Sequence, residues 1–297
     1  MRRLMSVFFV ALLVGACGRP AGSGAQAAEA TAPAFDCEVY DGAGEVAAFA
    51  QSHVIIFGEA IHGTNESPAA FFALICELAQ QGMPVKVGLE AEHDTSAGLN
   101  TFLDHPDDTD ALIETTRKMW SVHDGRSSEA ILKLLRQLAG LRAQGADVTV
   151  FAFDASWELD HTDSEDWGTI GRDAKMAEHV NTAVQDFPGA VVLLTGGFHA
   201  RKQAFEFDGT RFEPMASKIT ARPVLSLEMK HAGGSGWMWG EVDGEPFKGA
   251  VELTNMLEAD APVRAYVLEP TADGGDGAYY PGPITASSPA FPAAFTP

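Results

Sequence analysis

HVIIFGEAIHGTNE, residues 53–66, joins an apolar strand to a turn that carries two glutamates and a histidine. Four of its first five residues are apolar and two of them are isoleucine, a pattern typical of a buried central strand in a parallel sheet. Glu59, His62 and Glu66 follow in the turn and at the start of a helical pattern. Ligands bind beyond the carboxyl ends of strands in open α/β sheets. This stretch therefore predicts both the sheet and the edge at which its site lies.

Three later strands also end in polar residues. VKVGLE ends in Glu90, VTVFAFD ends in Asp154, and AVVLLTGGFH ends in His199. Because the carboxyl ends of parallel strands share one edge, we expect these groups to lie near His62. A histidine beside carboxylates can activate water, although His62 could instead satisfy a loop carbonyl and Glu59 could cap the next helix.

The order of predicted elements defines the fold class. Strands alternate with helices up to residue 200, and Ser128–Gln144 has the strongest helical periodicity in the chain. This alternation predicts an α/β fold with a mostly parallel central sheet flanked by helices. PVLSLEM, SGWMWGEV and RAYVLEP follow with little helix between them, so we expect an antiparallel or mixed extension at the C-terminal end.

Two loops are expected to border the site. SVHDGRSSE contains His123 and Arg126 and could overhang the site. SWELDHTDSEDWGTIG, residues 156–171, is either a solvated loop or a lid whose Trp157 or Trp167 lines a pocket. Arg172 opens the next helix at the same edge. It either binds a substrate carboxylate or an oxyanion, or forms a salt bridge with Asp173 or a site glutamate.

The ends of the chain indicate export. Residues 1–16 combine two arginines, a short apolar run and small residues, which is typical of a signal peptide, and Val14–Cys17 resembles the bacterial lipobox. Cys17 is then the lipidated first residue of the mature protein, with an ordinary secretory signal as the alternative. We predict a flexible tether at 17–34, a single α/β domain at 35–269, and an extended or mobile tail at 270–297.

Charge and cysteine content restrict the partners. The formal charge of −21 becomes −23 when Arg2 and Arg3 leave with the signal peptide, so nucleic acid is excluded as a partner. A small-molecule substrate and, through Cys17, a membrane remain as partners. Cys37 and Cys76 form either a disulfide, as expected in an exported protein, or two separate buried thiols.

Three motifs in this order carry a family resemblance across about residues 50 to 200. GEAIHGTNE is similar to the GEATHGTHE signature of the erythromycin esterase-like family. VGLEAEHDTSAGLNTFL resembles the family's next strand and helix, and GRDAKMAEHV is similar to its RD-x-x-MAEN helix. A more remote resemblance connects the chain with the ChaN-like haem-uptake superfamily.

The resemblance implies an esterase-like hydrolase in which the matching His62 activates water without an obligatory metal. The predicted catalytic set is Glu59, His62, Glu66, Glu90, Arg172 and His199, with Arg172 and His199 polarising the carbonyl. The alternative function is a non-catalytic metal- or haem-binding surface lipoprotein, because histidines and carboxylates at one edge also suit a divalent metal. Either protein is expected in the bacterial cell envelope, lipid-anchored on the periplasmic face of the outer membrane.

Overall fold

A computed structural model describes residues 35–242 and 245–295. The predicted signal peptide at 1–16, the tether at 17–34 and the lipidated Cys17 lie outside the described residues.

An eight-stranded sheet with the order β3-β2-β4-β1-β7-β10-β9 forms the centre of the described domain, and β8 pairs with β7. Every neighbouring pair from β3 to β10 is parallel, whereas β9 and β8 are antiparallel to β10 and β7. The sheet strands are β1 Val54–Glu59, β2 Val85–Glu92, β3 Val148–Asp154, β4 Ala190–Gly196, β7 Val224–Val242, β8 Glu245–Leu253, β9 Ala265–Val267 and β10 Gly277–Ile284. A separate hairpin contains β5 Phe205–Phe207 and β6 Thr210–Phe212. The predicted fold class is confirmed.

Strand β1 lies inside the sheet because it is apolar on both faces. All six of its residues are buried, and β4 and β7 flank it in parallel. Ile55 and Phe57 face one hydrophobic core, and Val54 and Ile56 face the other. This strict alternation fixes the register, since a shift by one residue would exchange the two faces.

Helices cover both faces of the sheet. Helices α2, α3 and α6 contribute to the core on one face, and α8 and α10 contribute to the core on the other. The helices are α1 Ala43–Ala47, α2 Glu66–Gln80, α3 Ser96–Asp104, α4 Thr109–Thr115, α5 Arg117–Ser121, α6 Glu129–Ala143, α7 Trp157–Asp160, α8 Arg172–Val184, α9 Gly197–Ala200 and α10 Met215–Lys218. Short 3-10 turns span His93–Thr95 and Pro292–Phe295, and a π turn spans Trp167–Gly171. Among the described residues, the helices are too short or too polar for a membrane span.

A disulfide joins Cys37 to Cys76, as one of the two sequence-based alternatives predicts. The Cα atoms of the two cysteines are 5.7 Å apart, within the usual range for a disulfide. Cys76 is buried in α2, so the bond attaches the segment before α1 to the first long helix.

The C-terminal segment belongs to the sheet, which differs from the tail expected at 270–297. β10 lies between β7 and β9, and its Tyr279 is fully buried. Beyond β10, the Ser287 N–H donates to the carbonyl of Gly63, 2.8 Å away. The glycines and prolines of GAYYPGPI obscure this strand in the sequence, because they mark register shifts within β10 rather than its end.

Candidate active site

Four adjacent strands deliver polar groups to one edge of the sheet. In the order β3-β2-β4-β1, these strands are parallel and therefore end on the same side. Asp154 ends β3, Gly196 ends β4 and Glu59 ends β1, while Glu90 lies near the end of β2. The four strand ends lie at one edge of the sheet, as expected, and their polar groups form the candidate site.

His62 is held in the turn after β1 by the glutamate three residues before it. Its Nδ1 lies 2.8 Å from Glu59 Oε2, and the Glu59 side chain is 6% exposed. Since a carboxylate only accepts, Nδ1 carries the proton and Nε2 retains a lone pair. Nε2 lies 3.9 Å from Glu90 Oε2. Burial alone would lower the pKa of His62, but the hydrogen bond to Glu59 and the charges of Glu90 and Glu59 raise it above 6.5.

Two glycines permit the close packing around this histidine. Gly63 has φ +66°, and a Cβ there would overlap the backbone of Trp237. A Cβ on Gly196 would lie 3.1 Å from His62 Nε2. Side chains at these positions would displace the turn or crowd the nitrogen that is free to take a proton.

Glu90 is the centre of the polar cluster. Its Oε1 accepts hydrogen bonds from Arg126 Nη1 and Arg172 Nη2, each at 3.0 Å. Its Oε2 accepts from Thr195 Oγ1 at 2.7 Å and from the Gly196 N–H at 2.8 Å. Burial would raise the pKa of Glu90, but the neighbouring histidines and arginines lower it well below its usual value. Glu90 is therefore a fixed anion rather than a proton donor.

Arg172 forms the salt bridges that were the alternative to direct substrate binding. Its Nε and Nη2 donate to the two oxygens of Asp154 at 2.9 and 2.6 Å, a bidentate arrangement. Nη2 also reaches Glu90, and Nη1 lies 3.1 Å from His199 Nε2. Burial would lower the pKa of Arg172, but Asp154 and Glu90 raise it. Arg172 thus orients Glu90, Asp154 and His199.

His199 lies on the other side of Glu90 from His62. Its Nδ1 is 2.8 Å from Asp173 Oδ1, which also accepts the Met215 N–H at 2.6 Å. Because Arg172 Nη1 can only donate, we assign the His199 proton to Nδ1 and the lone pair to Nε2. Nε2 is 3.6 Å from Glu90 Oε1. The rings of His62 and His199 therefore flank one carboxylate.

Glu66 is the one predicted residue that the structure does not bring into this cluster. Its carboxylate accepts from the backbone N–H and the hydroxyl of Thr285, at 2.8 and 2.7 Å. Thr285 belongs to the segment expected to be a tail, so its role as a partner could not be anticipated. Glu66 anchors that segment to the start of α2.

Four site residues are absent from the predicted set: Asp124, Arg126, Asp154 and Asp173. Asp124 accepts two hydrogen bonds from Arg126, at 2.9 and 2.6 Å, and holds that guanidinium against Glu90. Asp154 had a signal in the sequence, since it ends a strand, and Asp173 directly follows Arg172. Nothing local marks the pairing of Arg126 with Glu90, because that contact joins two distant segments.

The cluster carries an excess of negative charge. Five carboxylates, on Glu59, Glu90, Asp124, Asp154 and Asp173, contact two guanidinium groups and two imidazoles. With neutral imidazoles the formal charge is negative, and this charge favours protonation of His62. It also disfavours anionic ligands.

A cavity of about 400 Å³ opens beside the two histidines. His62 and His199 line it together with apolar and charged side chains. The apolar ones are Ile61, Phe198, Met229 and Met256, and the charged ones are Glu59, Arg201, Glu228, Lys230 and Asp273. A second cavity, of about 420 Å³, lies beside Glu90, Arg126 and Arg172. Both Trp157 and Trp167 line it, as the lid interpretation of their loop predicts.

The donor atoms of the central cluster do not favour a metal. Both oxygens of Glu90, like those of Asp154, accept hydrogen bonds from protein N–H or O–H groups. A metal there would have to displace an arginine from Glu90 Oε1 or from Asp154, or the Thr195 and Gly196 donors from Glu90 Oε2. In the part of the chain that the structure describes, side chains with metal-ligand spacing meet elsewhere, at His93, Asp160 and His179.

No protein-family model and no curated protein sequence matches the chain. Solved structures do match. A mutant of the erythromycin esterase EreC in its open conformation is 13% identical with a TM-score of 0.54, covering 80% of this chain and 92% of the other. A succinoglycan biosynthesis protein is 10% identical with a TM-score of 0.50, covering 82% and 90%. ChaN of Campylobacter jejuni, with cofacial haem, is 12% identical with a TM-score of 0.41, covering 71% and 89%. The resemblance to erythromycin esterases is thus confirmed at the level of the fold.

Proposed function

We propose that the protein is an exported hydrolase that cleaves an ester, a lactone or a related bond with a water molecule activated by His62. The observation that carries this proposal is the Glu59–His62 pair in the wall of the first cavity. Glu59 fixes the proton on Nδ1, at 2.8 Å, and leaves the Nε2 lone pair available. A histidine oriented in this way by a carboxylate is the general-base unit of many hydrolases.

The cavity supports a small substrate with an apolar part. Its apolar side chains suit a hydrocarbon part of the substrate, while His62, His199, Arg201 and Lys230 are among its polar and charged side chains. The negative cluster around Glu90 disfavours a substrate carboxylate close to His62. An ester or lactone with a neutral carbonyl group next to His62 fits this arrangement.

The proposed reaction needs only the groups at this edge. His62 Nε2 takes a proton from water as the water oxygen forms a bond to the carbonyl carbon, and the carbonyl electrons move to its oxygen. When the carbonyl re-forms and the C–O bond breaks, the proton on Nε2 passes to the leaving oxygen. Arg172 Nη1 has two N–H groups, and His199 is its one protein partner among the described residues. We assign the second N–H to stabilisation of the oxyanion of a carbonyl that lies against the His199 ring, since His199 lines the first cavity and Arg172 lines the second.

The alternative function, a non-catalytic metal- or haem-binding protein, has less support at this site because protein donors already occupy both oxygens of Glu90 and of Asp154. The test is a panel of esters, lactones and amides offered to the full chain, together with metal analysis of protein purified without a metal-affinity tag. We expect hydrolysis to continue after metal ions are removed with a chelator, because the proposed reaction uses no metal. No turnover of any class, with a metal bound at Glu90, would contradict the proposal.

The pH profile of hydrolysis should report the Glu59–His62 pair. The base must be unprotonated to take a proton from water, and the pKa of His62 is raised above 6.5. We therefore expect kcat/KM to be low at pH values below this pKa and to increase as the pH rises through it. In Glu59→Gln the charge of Glu59, one of the two that raise the pKa, is gone, while the charge of Glu90 and burial, which lowers the pKa, remain. The rising limb should therefore move to lower pH and the maximal rate should fall. The measurement is kcat/KM against pH for both proteins.

Glu66→Gln is the matched control for this profile. It also removes one carboxylate, at the first residue of α2, but its partner is Thr285 rather than His62. Its profile should coincide with that of the wild type. If Glu59→Gln leaves the rising limb in place, a group other than His62 sets the rate.

Attachment to the envelope through Cys17 is part of the proposal and rests on the Val14–Cys17 box. Mass spectrometry of protein extracted from membranes is expected to find a diacylglyceryl adduct on Cys17 as the first residue. Cys17→Ala should move the protein to the soluble fraction. A mature chain that begins at another, unmodified residue would contradict the lipid anchor.

A further inference from the structure

Three side chains with metal-ligand chemistry meet between β2, α7 and α8. His93 follows β2, Asp160 ends α7, and His179 lies in the middle of α8. One ligand atom from each lies within 4.8 Å of the others. His93 Nδ1 is 3.3 Å from Asp160 Oδ2, and the two imidazole rings are tilted by 34° with centroids 4.1 Å apart. Three distant parts of the sequence thus converge on one point.

The second nitrogen of His179 is already engaged in the way that metal-binding histidines require. His179 Nδ1 is 3.1 Å from the carbonyl oxygen of Phe153, so Nδ1 carries the proton and Nε2 presents its lone pair. Asp160 is also fixed, because its Oδ2 accepts the Ser156 N–H at 2.8 Å. These hydrogen bonds orient two of the three side chains before any ion arrives.

The Nδ1 atom of His93 is buried and lacks a hydrogen-bond partner among the described residues. The approach to Asp160 Oδ2 has the distance of an ion pair but not the geometry of a hydrogen bond. A buried polar nitrogen without a partner costs about 1–3 kcal/mol, so a ligand at this point would satisfy it.

We propose that His93, Asp160 and His179 bind one Zn²⁺ ion, with water at the fourth position. Two imidazole nitrogens and one carboxylate oxygen form a common donor set for zinc, with bond lengths of about 2.0–2.2 Å. A tetrahedral site brings such ligands closer together than 4.8 Å, which small side-chain rotations can achieve. Imidazole donors exclude Mg²⁺ and Ca²⁺ as preferred ions.

The charges around the site are compatible with a dication. Lys175 Nζ is 4.0 Å from Asp160 Oδ1, but it is only 2.8 Å from Glu178 Oε2 and is held by that carboxylate. Lys118 is similarly engaged by Glu92 and Glu158, at 3.0 and 3.3 Å. The carboxylates of Glu92, Glu158, Glu178 and Asp160 outnumber these two lysines, so the local charge favours a dication.

Zinc at this point would fix the loop that carries Asp160. Residues 156–171 connect the end of β3 to α8, and Trp157 and Trp167 of this loop line the second cavity beside Glu90. Tying Asp160 to His93 and His179 would hold the loop against β2 and α8. Zinc would thus hold in place the loop whose tryptophans line the second cavity.

Zinc titration of the full chain tests the site. Protein purified without a metal-affinity tag and stripped with EDTA should bind one Zn²⁺ per chain by calorimetry and elemental analysis. Since loss of outer-shell partners alone costs roughly 10–100-fold in affinity, His179→Asn and His93→Asn should each weaken binding by about 100-fold or more. His161→Asn is the matched control, because His161 follows Asp160 but stacks on Trp157 outside the group.

Two further measurements distinguish zinc at this site from zinc at the central cluster. His62→Ala should bind zinc like the wild type, and loss of binding in that variant would place the ion at the central cluster and overturn the proposal. Zinc should slow amide hydrogen exchange in residues 156–171 of the wild type but not of His179→Asn. Fewer than about 0.2 zinc ions per chain, or equal affinity in His179→Asn, would also overturn it.

Discussion

Hydrolysis by the His62→Ala variant is expected to be about 10²- to 10⁴-fold slower than by the wild type, the usual contribution of a general base. Alanine removes the only group in the proposal that takes a proton from water. The loss should appear in kcat, with a smaller change in KM, because the apolar wall of the cavity is unchanged. The measurement is steady-state kinetics on the best ester or lactone of the substrate panel.

The fold should survive this substitution, so a loss of catalysis can be separated from a loss of structure. His62 lies in a turn with its side chain 21% exposed, and its loss leaves Glu90 fully hydrogen-bonded. Circular dichroism should match that of the wild type, whereas the urea midpoint should fall, because the Glu59 carboxylate, 6% exposed, loses its hydrogen bond from His62. His105→Ala, which changes an exposed histidine after α3, should retain full activity. Added imidazole should restore part of the rate, whereas unchanged hydrolysis in His62→Ala would rule out His62 as the base.

Glu90→Gln should have the largest effect on stability, a decrease of about 3–5 kcal/mol in the free energy of unfolding. Glu90 is 5% exposed and is the shared acceptor of Arg126 and Arg172. The amide has nearly the same shape but no charge, so two largely buried guanidinium groups lose their common counterion. Urea denaturation at neutral pH measures the difference. Glu114→Gln, on the exposed side of α4, should change stability by no more than about 0.5 kcal/mol.

The pH dependence provides an independent check on Glu90. Its pKa in the folded protein lies well below the ordinary value of 4.5. The stability it contributes is therefore present above 4.5 and is lost as pH falls through the lowered pKa. The difference in the free energy of unfolding between the wild type and Glu90→Gln should therefore become smaller as the pH falls through the lowered pKa. A gap that stays constant with pH would mean that the shape of the side chain, rather than its charge, sets the difference in stability.

The sequence alone predicted the features that depend on residues close together in the chain. The apolar run in β1 required burial on both faces and therefore a central position in the sheet. Glu59 and His62 are three residues apart, so a single turn after the strand is enough to join them. The polar ends of β2, β3 and β4 were likewise readable, because parallel strands place their carboxyl ends on one side.

Tertiary structure alone decided which distant groups became partners. Arg126 reaches Glu90 across 36 residues, and Thr285 reaches Glu66 across 219. Periodicity shows that a segment is a strand or a helix but does not encode the order of strands in the sheet, and this order sets every such distance. For the same reason the sequence suggested a tail where β10 lies. The sequence also gave no sign that His93, Asp160 and His179 lie close together, because their proximity depends on how β2, α7 and α8 pack.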